Sequence, residues 1–260
     1  MNEDDSAIHR ARWLILVPFC LLFFIFSSLV DLVIDIQVHQ VERLERNLSR
    51  YKDQSIGLGS MELAKAKLDS ALSWSFNNPD YLQMAGRHGV WLSTLNCSDS
   101  LKLEDKENKI SSHNETLDCV YLNNIILDQS KFFIEGQTVR PYWPYSYSEH
   151  VLLLATLLAR DFNVLSEFES AWLNAMKYGK NEPEVIGSLL NAGFGSWDYL
   201  SWGMKSKTIM LFEKGITGSY LIAKKTYLIA KNHNRMESLC ILFSSKDYLP
   251  EFFINDCTRT

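Results

Sequence analysis

The sequence predicts an all-α protein in which a single N-terminal transmembrane helix is followed by a domain of paired helices. An apolar run without a charged residue extends from Trp13 to Val30. Apolar residues then recur at three- and four-residue steps through most of the remaining chain, which is the spacing of amphipathic helices. No alternating pattern typical of strands competes with it over a comparable length.

The apolar run is long enough to be a membrane anchor. Its eighteen residues, extended by Leu32, Val33 and Ile34, rise about 1.5 Å each in a helix and so cross a hydrocarbon layer of about 30 Å. We predict an N-terminal tail at 1–12 and a transmembrane helix at 13–34. The alternative is a cleaved signal peptide, but the apolar core of such a peptide is only about 7–15 residues long.

The charges on either side of the run predict its orientation. His9, Arg10 and Arg12 precede it, and Asp31 and Asp35 are the first charged residues after its start. Basic residues near a span tend to remain in the cytoplasm, whereas acidic residues count for little. Later basic residues, interleaved with glutamates, reduce this asymmetry. We expect a cytoplasmic N-terminus and a large domain on the outer side of the membrane.

Helical periodicity continues beyond the membrane. A stripe that begins at Val38 and Val41 predicts a juxtamembrane helix over 35–55. A glycine-containing break then precedes the main helical domain at 60–260. Within that domain, residues 98–114 are charged and rich in Ser and Asn, so we interpret them as a polar surface insertion.

Eight segments of the main domain carry the helical pattern. They are Met61–Phe76, Tyr81–Leu95, Tyr121–Phe133, Tyr147–Arg160, Val164–Tyr178, Glu184–Asn191, Asp198–Lys214 and Gly218–Asn232.

A repeated turn indicates how these helices are paired. Ala71 precedes Pro79 by the spacing that separates Ala175 from Pro183, and each proline is followed by an acidic residue. Proline suits the first helical position, and an acidic residue suits the first turn. A related turn contains Pro144. The prolines lie 65 and 39 residues apart, against a tetratricopeptide period of about 34, so the pattern predicts a degenerate tetratricopeptide-like domain.

Four cysteines follow the span, where Cys20 lies, and four cysteines allow three connectivities. Two sequence-local pairs each bracket a polar, turn-rich stretch. We therefore predict the disulfides Cys97–Cys119 and Cys240–Cys257, each of which stabilises the fold by about 3 kcal/mol in the chain-entropy model. The alternative is four reduced thiols, which holds if the domain is cytoplasmic.

Several ordered segments resemble one family. They are Arg140-Pro-Tyr-Trp-Pro-Tyr-Ser-Tyr147, Glu167–Met176, Gly179–Glu184 and Gly193-Phe-Gly-Ser-Trp197. Their order is similar to that in VpsP-like proteins, which are membrane-anchored, tetratricopeptide-like components of bacterial exopolysaccharide biosynthesis systems. The resemblance covers roughly 60–257, including a closing unit with Cys240 and Cys257. The chain departs from the family at Lys180-Asn181, where a Pro-Trp pair is usual.

The resemblance implies a location and a set of partners. It implies a single-pass protein of the bacterial inner membrane with its domain in the periplasm. It also implies partner proteins of a polysaccharide biosynthesis or export complex, and it brings no catalytic residues.

The residues themselves indicate neither catalysis nor nucleic-acid binding. The net charge of −5 argues against nucleic acid as a partner, because that ligand selects basic surfaces. The six histidines have no metal-ligand spacing, so we expect no metal and no cofactor. Glu149 and His150 are adjacent in sequence, but neighbours on a helix do not face each other. We therefore expect a protein that is not an enzyme.

One aromatic cluster supports two interpretations. It consists of Arg140, Tyr142, Trp143, Tyr145 and Tyr147. Flat apolar ring faces and a guanidinium suit the binding of a glycan. The favoured interpretation is that the cluster packs a turn between two helices.

The leading hypothesis is a non-catalytic anchored scaffold, and two others stay open. These are a glycan-binding module built on the aromatic cluster and an assembly factor for another envelope complex. Three further tryptophans, Trp172, Trp197 and Trp202, are expected in the core. Asp31 and Asp35 share a helix face, where they mark the end of the hydrocarbon region or contact a partner's span.

Overall fold

The computed structural model describes residues 3–50, 58–75, 78–90, 124, 126–160, 163–243, 246 and 248–258. Side chains are described for 18–44 within the first helix and from 60 onward within the second. Every regular element in these ranges is helical, which confirms the predicted all-α class. The chain forms two compact units, an N-terminal unit (Met1–Tyr81) and a C-terminal unit (Leu82–Thr260).

The helices are numbered in chain order. The first three are α1 (Glu3–Arg50), α2 (Leu58–Trp74) and α3 (79–90). The next five are α4 (Ser130–Val139), α5 (Pro144–Leu158), α6 (Leu165–Gly179), α7 (Pro183–Gly195) and α8 (Trp202–Ile216). The last three are α9 (Tyr220–Asn232), α10 (Met236–Phe243) and α11 (Glu251–Cys257).

The N-terminal unit is built on one continuous helix. α1 extends through the predicted span and onward to Arg50, so the predicted juxtamembrane helix continues the same rod. Its last residues, 51–55, lie outside the described part of the chain. α2 packs against the C-terminal half of α1. The apolar residues buried on the two helices are Ile34, Val38 and Val41 of α1 and Met61, Ala64, Leu68 and Ala71 of α2.

In the C-terminal unit each helix from α5 to α9 packs against the next, and α5–α7 and α7–α9 also pack against each other. Trp172 and Leu189 are fully buried in this core, and the indole Nε1–H of Trp172 donates a hydrogen bond to the Leu189 carbonyl oxygen at 3.2 Å. α7 and α8 approach closely at Gly193. A Cβ atom at that position would lie 2.8 Å from the side chain of Thr208.

The turns at Pro79 and Pro183 are placed as the sequence predicts, and the helix predicted from Tyr147 begins three residues earlier, at Pro144. Pro144 and Pro183 are the first residues of α5 and α7, and Pro79 is the first helical residue of α3. Ala71 and Ala175, the small residues before two of these turns, are completely buried. The repeated turn therefore corresponds to a repeated way of starting a helix.

The structure corrects several predicted boundaries. A turn at Gln129 interrupts the predicted Tyr121–Phe133 helix, so that α4 begins at Ser130. The helix predicted over Asp198–Lys214 begins later, because its first residues belong to a short 3₁₀ turn, Trp197–Tyr199. α8 itself starts at Trp202. The stretch before Cys257 is not simply turn-rich, because it contains the short helices α10 and α11. The predicted insertion at 98–114 lies outside the described residues.

Candidate functional site

The first candidate surface is the exposed apolar face of α1. Among the described side chains, the segment Pro18–Leu44 is long and apolar enough to cross a membrane. Phe19, Phe24 and Leu22 each leave at least 65% of their surface exposed. A contiguous apolar surface of this kind is typical of a face that meets a membrane or another protein.

The outer end of this segment carries a polar contact within the N-terminal unit. The Tyr81 hydroxyl donates a hydrogen bond to the Asp35 carboxylate at 2.8 Å. Burial raises the pKa of Tyr81 to about 12, and the Asp35 hydrogen bond and the nearby Asp31 and Asp80 carboxylates add to that rise. Asp35 is thus satisfied by the chain's own tyrosine. This contact fits the interpretation that Asp31 and Asp35 mark the end of the apolar segment.

The second candidate surface is the predicted aromatic cluster. The structure places it at the turn between α4 and α5, where Trp143 is the residue that precedes α5. The Arg140 guanidinium carbon lies 5.4 Å from the Trp143 ring centroid, and the Trp143 and Tyr145 rings are 5.5 Å apart. Tyr178, at the end of α6, joins the cluster. Its ring lies 5.5 Å from that of Tyr142 and 5.9 Å from that of Tyr147.

Some members of the cluster are fixed by hydrogen bonds, and one is exposed. The Tyr147 hydroxyl donates to the Pro141 carbonyl oxygen at 3.2 Å, and the Tyr145 hydroxyl donates to the Glu182 carboxylate at 3.3 Å. Burial is the main reason why the pKa values of both hydroxyls are raised. Tyr142 is 76% exposed. Tyr145 and Tyr147 therefore fasten the turn, while Tyr142 presents an aromatic face to the surroundings.

Sequence reasoning missed Tyr178 as a member of this cluster. It lies two residues before the Lys180-Asn181 position at which the chain departs from the resembled family, and only the packing of α6 on α5 brings it to the turn. The Lys177 ammonium lies 4.8 Å from the Tyr178 ring centroid. The assembled surface therefore combines aromatic rings with a lysine and an arginine.

The three tryptophans expected in the core have different surroundings. Trp172 is fully buried, as predicted. Trp197 is partly buried, and its ring centroid lies 5.4 Å from the Arg235 guanidinium carbon and 5.8 Å from the Lys205 ammonium. The prediction for Trp202 is wrong, because this side chain is 86% exposed at the first position of α8. The buried face of that helix begins instead at Met204.

Glu149 and His150, the adjacent titratable residues of α5, contact different neighbours. The Glu149 carboxylate lies 3.8 Å from an Arg87 guanidinium nitrogen, and burial raises the pKa of Glu149 while Arg87 opposes that rise. The His150 ring stacks on Phe133, and its Nδ1 is 3.2 Å from the Gln137 amide nitrogen. Burial lowers the pKa of His150 to about 4. Glu149 and His150 thus have separate partners, as expected for adjacent residues on a helix.

The closing unit contains one of the two predicted disulfides. Cys240 of α10 and Cys257 of α11 are bonded, with Cα atoms 5.3 Å apart, which confirms that prediction. The predicted Cys97–Cys119 pair lies outside the described residues and stays a prediction. Within the described chain, no group of three His, Cys, Asp or Glu side chains is arranged to hold a metal ion.

Comparison with known proteins adds no assignment. No protein-family model matches the chain, and no curated protein or solved structure matches it significantly. A function therefore has to be argued from the surfaces described above.

Proposed function

We propose that this chain is a non-catalytic, membrane-anchored scaffold of a bacterial exopolysaccharide biosynthesis or export system. In this proposal α1 crosses the inner membrane with its N-terminus in the cytoplasm, and the helical domain docks partner proteins in the periplasm. The observation that carries the proposal is the contrast between an uncovered apolar helix and a well-packed helical domain in one chain. Anchoring and docking are the two tasks that these parts suit.

The anchoring part is supported by the surroundings of α1. Between Pro18 and Val33 none of its side chains is buried, although the stretch is almost entirely apolar. Each buried methylene is worth about 0.8 kcal/mol, so leaving these side chains in water costs far more than a marginally stable fold can offset. A hydrocarbon layer removes that cost. The basic flank at Arg10 and Arg12 supports the cytoplasmic placement of the N-terminus.

The docking part is supported by the order in which the helices pack. α5 contacts α7, and α7 contacts α9. The helices between them, α6 and α8, each contact the helix before and the helix after. Helix A of a tetratricopeptide unit packs in this way against its own helix B and against the next helix A. The first residues Pro144, Pro183 and Tyr220 are offset by 39 and 37 residues, close to the usual period of about 34. Stacks of this kind form extended surfaces for protein segments.

The polysaccharide assignment is supported by the resemblance to VpsP-like proteins. Gene deletion is expected to reduce exported polysaccharide, and expression of the full chain is expected to restore it. A matched variant replaces residues 1–34 with a cleavable signal sequence, which releases the domain into the same compartment. That variant is expected to accumulate without restoring export. Unchanged polysaccharide after deletion would remove the assignment, and full rescue by the released domain would remove the need for anchoring.

A non-catalytic role makes a separate biochemical prediction. The purified full chain is expected neither to hydrolyse nor to transfer glycan units. Replacement of Glu149 by Gln or of His88 by Gln is expected to preserve polysaccharide export, provided that the domain folds. Loss of export in a folded Glu149→Gln protein would favour an enzyme.

The exposed face of Tyr142 favours a second candidate, a glycan-binding module. Tyr142→Ala removes this face with little change in packing, whereas Tyr199→Ala removes a 43% exposed tyrosine elsewhere in the same unit. Selective loss of polysaccharide retention in a pull-down with Tyr142→Ala would support glycan binding. Trp143→Ala separates the two interpretations of the turn. Loss of thermal stability indicates packing, and a stable protein that no longer binds glycan indicates a ligand site.

An assembly factor for another envelope complex, such as a secretion or cytochrome-maturation system, is the third candidate. Glycosyltransferase and export genes beside this gene would favour the polysaccharide system over it.

A further inference from the structure

The N-terminal unit contains an apolar groove beside the apolar segment of α1. The groove has a volume of about 330 Å³ and is formed by one flank of α1 and the end of α2. Its apolar wall is Phe26, Leu29, Val30 and Val33 of α1, together with Trp74, the last residue of α2. Trp74 is 60% exposed, so this indole is not part of a protein core.

The packing of α2 on α1 fixes the level of Trp74 along the membrane anchor. The Lys67 ammonium donates a hydrogen bond to the Gln40 side-chain oxygen. The two helices are antiparallel, so a step forward along α2 matches a step backward along α1. Seven residues after Lys67 is Trp74, and seven residues before Gln40 is Val33. Trp74 is therefore level with Val33, close to the outer end of the 13–34 span. α2 thus leads the chain back toward the membrane surface.

The sequence of α2 changes at this level. Charged residues occur along the helix as far as Asp69, and the ten residues from Ser70 to Pro79 carry no charge. Tryptophan at the end of such a stretch is typical of a membrane–water boundary, where the ring lies in the apolar layer and the indole N–H remains close to water.

The residues that line the groove change from apolar at one end to polar at the other. Its inner end is lined by Phe26, while its outer end is lined by Gln37 of α1 and Ser70 of α2. Counting from the Lys67–Gln40 contact places Gln37 and Ser70 at the same level. An apolar inner wall with polar groups at its outer end matches a lipid molecule, whose acyl chain points inward and whose ester groups lie at the boundary.

We propose that the end of α2 lies in the headgroup boundary of the outer leaflet and that the groove beside Trp74 holds an acyl chain of a membrane lipid. This inference rests on the proposed anchoring by α1. It predicts that the first helix after the anchor is fastened to the bilayer surface, which limits how freely the chain leaves the membrane. A second copy of the chain and a partner's transmembrane helix are the competing occupants.

Photocrosslinking at three single positions tests the occupant in native membranes. Benzoylphenylalanine replaces Trp74, Leu63 or Phe19 in the full chain, and adducts are identified by mass. Leu63 is the matched control, because it is 59% exposed on the same helix and lies about 16 Å farther from the bilayer than Trp74. Phe19, which is 70% exposed, reports on the anchor itself.

The expected result is phospholipid adducts from positions 74 and 19 at comparable yield, with none above background from position 63. Lipid adducts from 19 without any from 74 would overturn the groove proposal while leaving the anchor intact. Absence of lipid adducts from both positions would overturn the anchoring. A dimer-sized or heavier protein adduct from 74 would assign the groove to a second copy or to another protein.

A fluorescence measurement tests the same inference without a crosslinker. The full chain and the Trp74→Phe variant are compared in nanodiscs made with ordinary or dibrominated phosphatidylcholine. Bromine quenches only the tryptophans that approach the acyl chains. The quenched fraction is expected to fall in Trp74→Phe and to rise slightly in the control Trp172→Phe, because that variant loses a buried, unquenched tryptophan. Equal quenching of the wild type and Trp74→Phe would contradict a lipid-contacting Trp74.

Discussion

The phenylalanines of α1 and those in the core of the C-terminal unit occupy opposite environments. Phe19 and Phe24 are 70% and 67% exposed, whereas Phe168 and Phe212 are completely buried. The residue type is the same, so hydrophobicity does not determine burial within this chain. What differs is whether another helix covers the residue. The C-terminal unit supplies its own apolar surroundings, whereas the described part of the chain leaves the apolar segment of α1 uncovered.

The largest expected effect separates these two environments directly. Trp172→Ala leaves a cavity in the core and removes the hydrogen bond to Leu189, so it is expected to destabilise the C-terminal unit by about 3–5 kcal/mol. Phe19→Ala is expected to change the free energy of unfolding by less than about 0.5 kcal/mol in detergent, because its contacts are with the solvating phase. Denaturant unfolding followed by far-ultraviolet circular dichroism measures both. Equal destabilisation would erase the contrast between the two regions.

The cysteines extend the comparison to covalent structure. Cys240→Ser opens a loop with a sequence separation of 17 residues and is expected to cost about 3 kcal/mol. Cys20→Ser, at an exposed free thiol in α1, is expected to leave the melting temperature unchanged. Mass spectrometry of non-reduced peptides is expected to find Cys240–Cys257 linked, together with the predicted Cys97–Cys119 pair. Free thiols at all four positions in protein taken from its native membrane would contradict both location and pairing.

A pH-dependent effect is expected where burial perturbs a titrating group, as it does at His150. The folded-state pKa of His150 is about 4, below the usual value of 6.5, so the unfolded chain binds more protons between those values. The stability contribution is complete above pH 6.5 and is lost as the pH falls toward 4. The loss between pH 7 and pH 5 is about 2 kcal/mol by linkage.

The His150→Gln variant isolates this contribution. Its unfolding free energy is expected to depend less on pH between 7 and 5 than that of the wild type. Glu149 has a raised pKa, so its contribution to stability changes with pH in the opposite direction. Subtracting the variant's unfolding free energy from that of the wild type at each pH removes this contribution, because Glu149 is present in both proteins. Ser148→Ala, at a buried and non-titrating residue of the same helix, is expected to shift stability equally at both pH values. An unchanged pH slope in His150→Gln would refute the buried neutral histidine.

A small effect is expected at Trp202, which was predicted to lie in the core but is exposed. Trp202→Ala is expected to change stability by less than about 0.5 kcal/mol, because an exposed side chain has little packing to lose. Thermal melting of Trp202→Ala beside Trp172→Ala checks this within a single helical unit. A loss comparable with that of Trp172→Ala would return Trp202 to the core.

The sequence predicted those features that depend on local chemistry. The apolar segment of α1 follows from its uninterrupted run of apolar residues, and the start of α7 follows from Pro183. The start of α5 at Pro144 lies three residues before the predicted Tyr147. The Cys240–Cys257 pair followed from closeness along the chain. These features need no knowledge of which helices meet.

The features that sequence reasoning missed depend on packing between distant segments. α10 and α11 are only two turns long, so neither fills the window of 11–18 residues over which periodicity is read. Tyr178 joins the aromatic cluster because α6 folds back on α5. Trp202 is exposed because the orientation of α8 directs Met204, two residues later, into the core. The groove beside Trp74 is formed by the packing of α2 on α1, which no local pattern reveals.

The central claim is that α1 anchors the chain and leaves the helical domain outside the cytoplasm. Alkaline phosphatase and green fluorescent protein are fused separately after Thr260, and each fusion is followed through a carbonate wash of the membranes. We expect an active phosphatase, a dark fluorescent protein, and full-length chain retained in the washed membranes. A fluorescent fusion with an inactive phosphatase, or release of the domain by the wash, would contradict it.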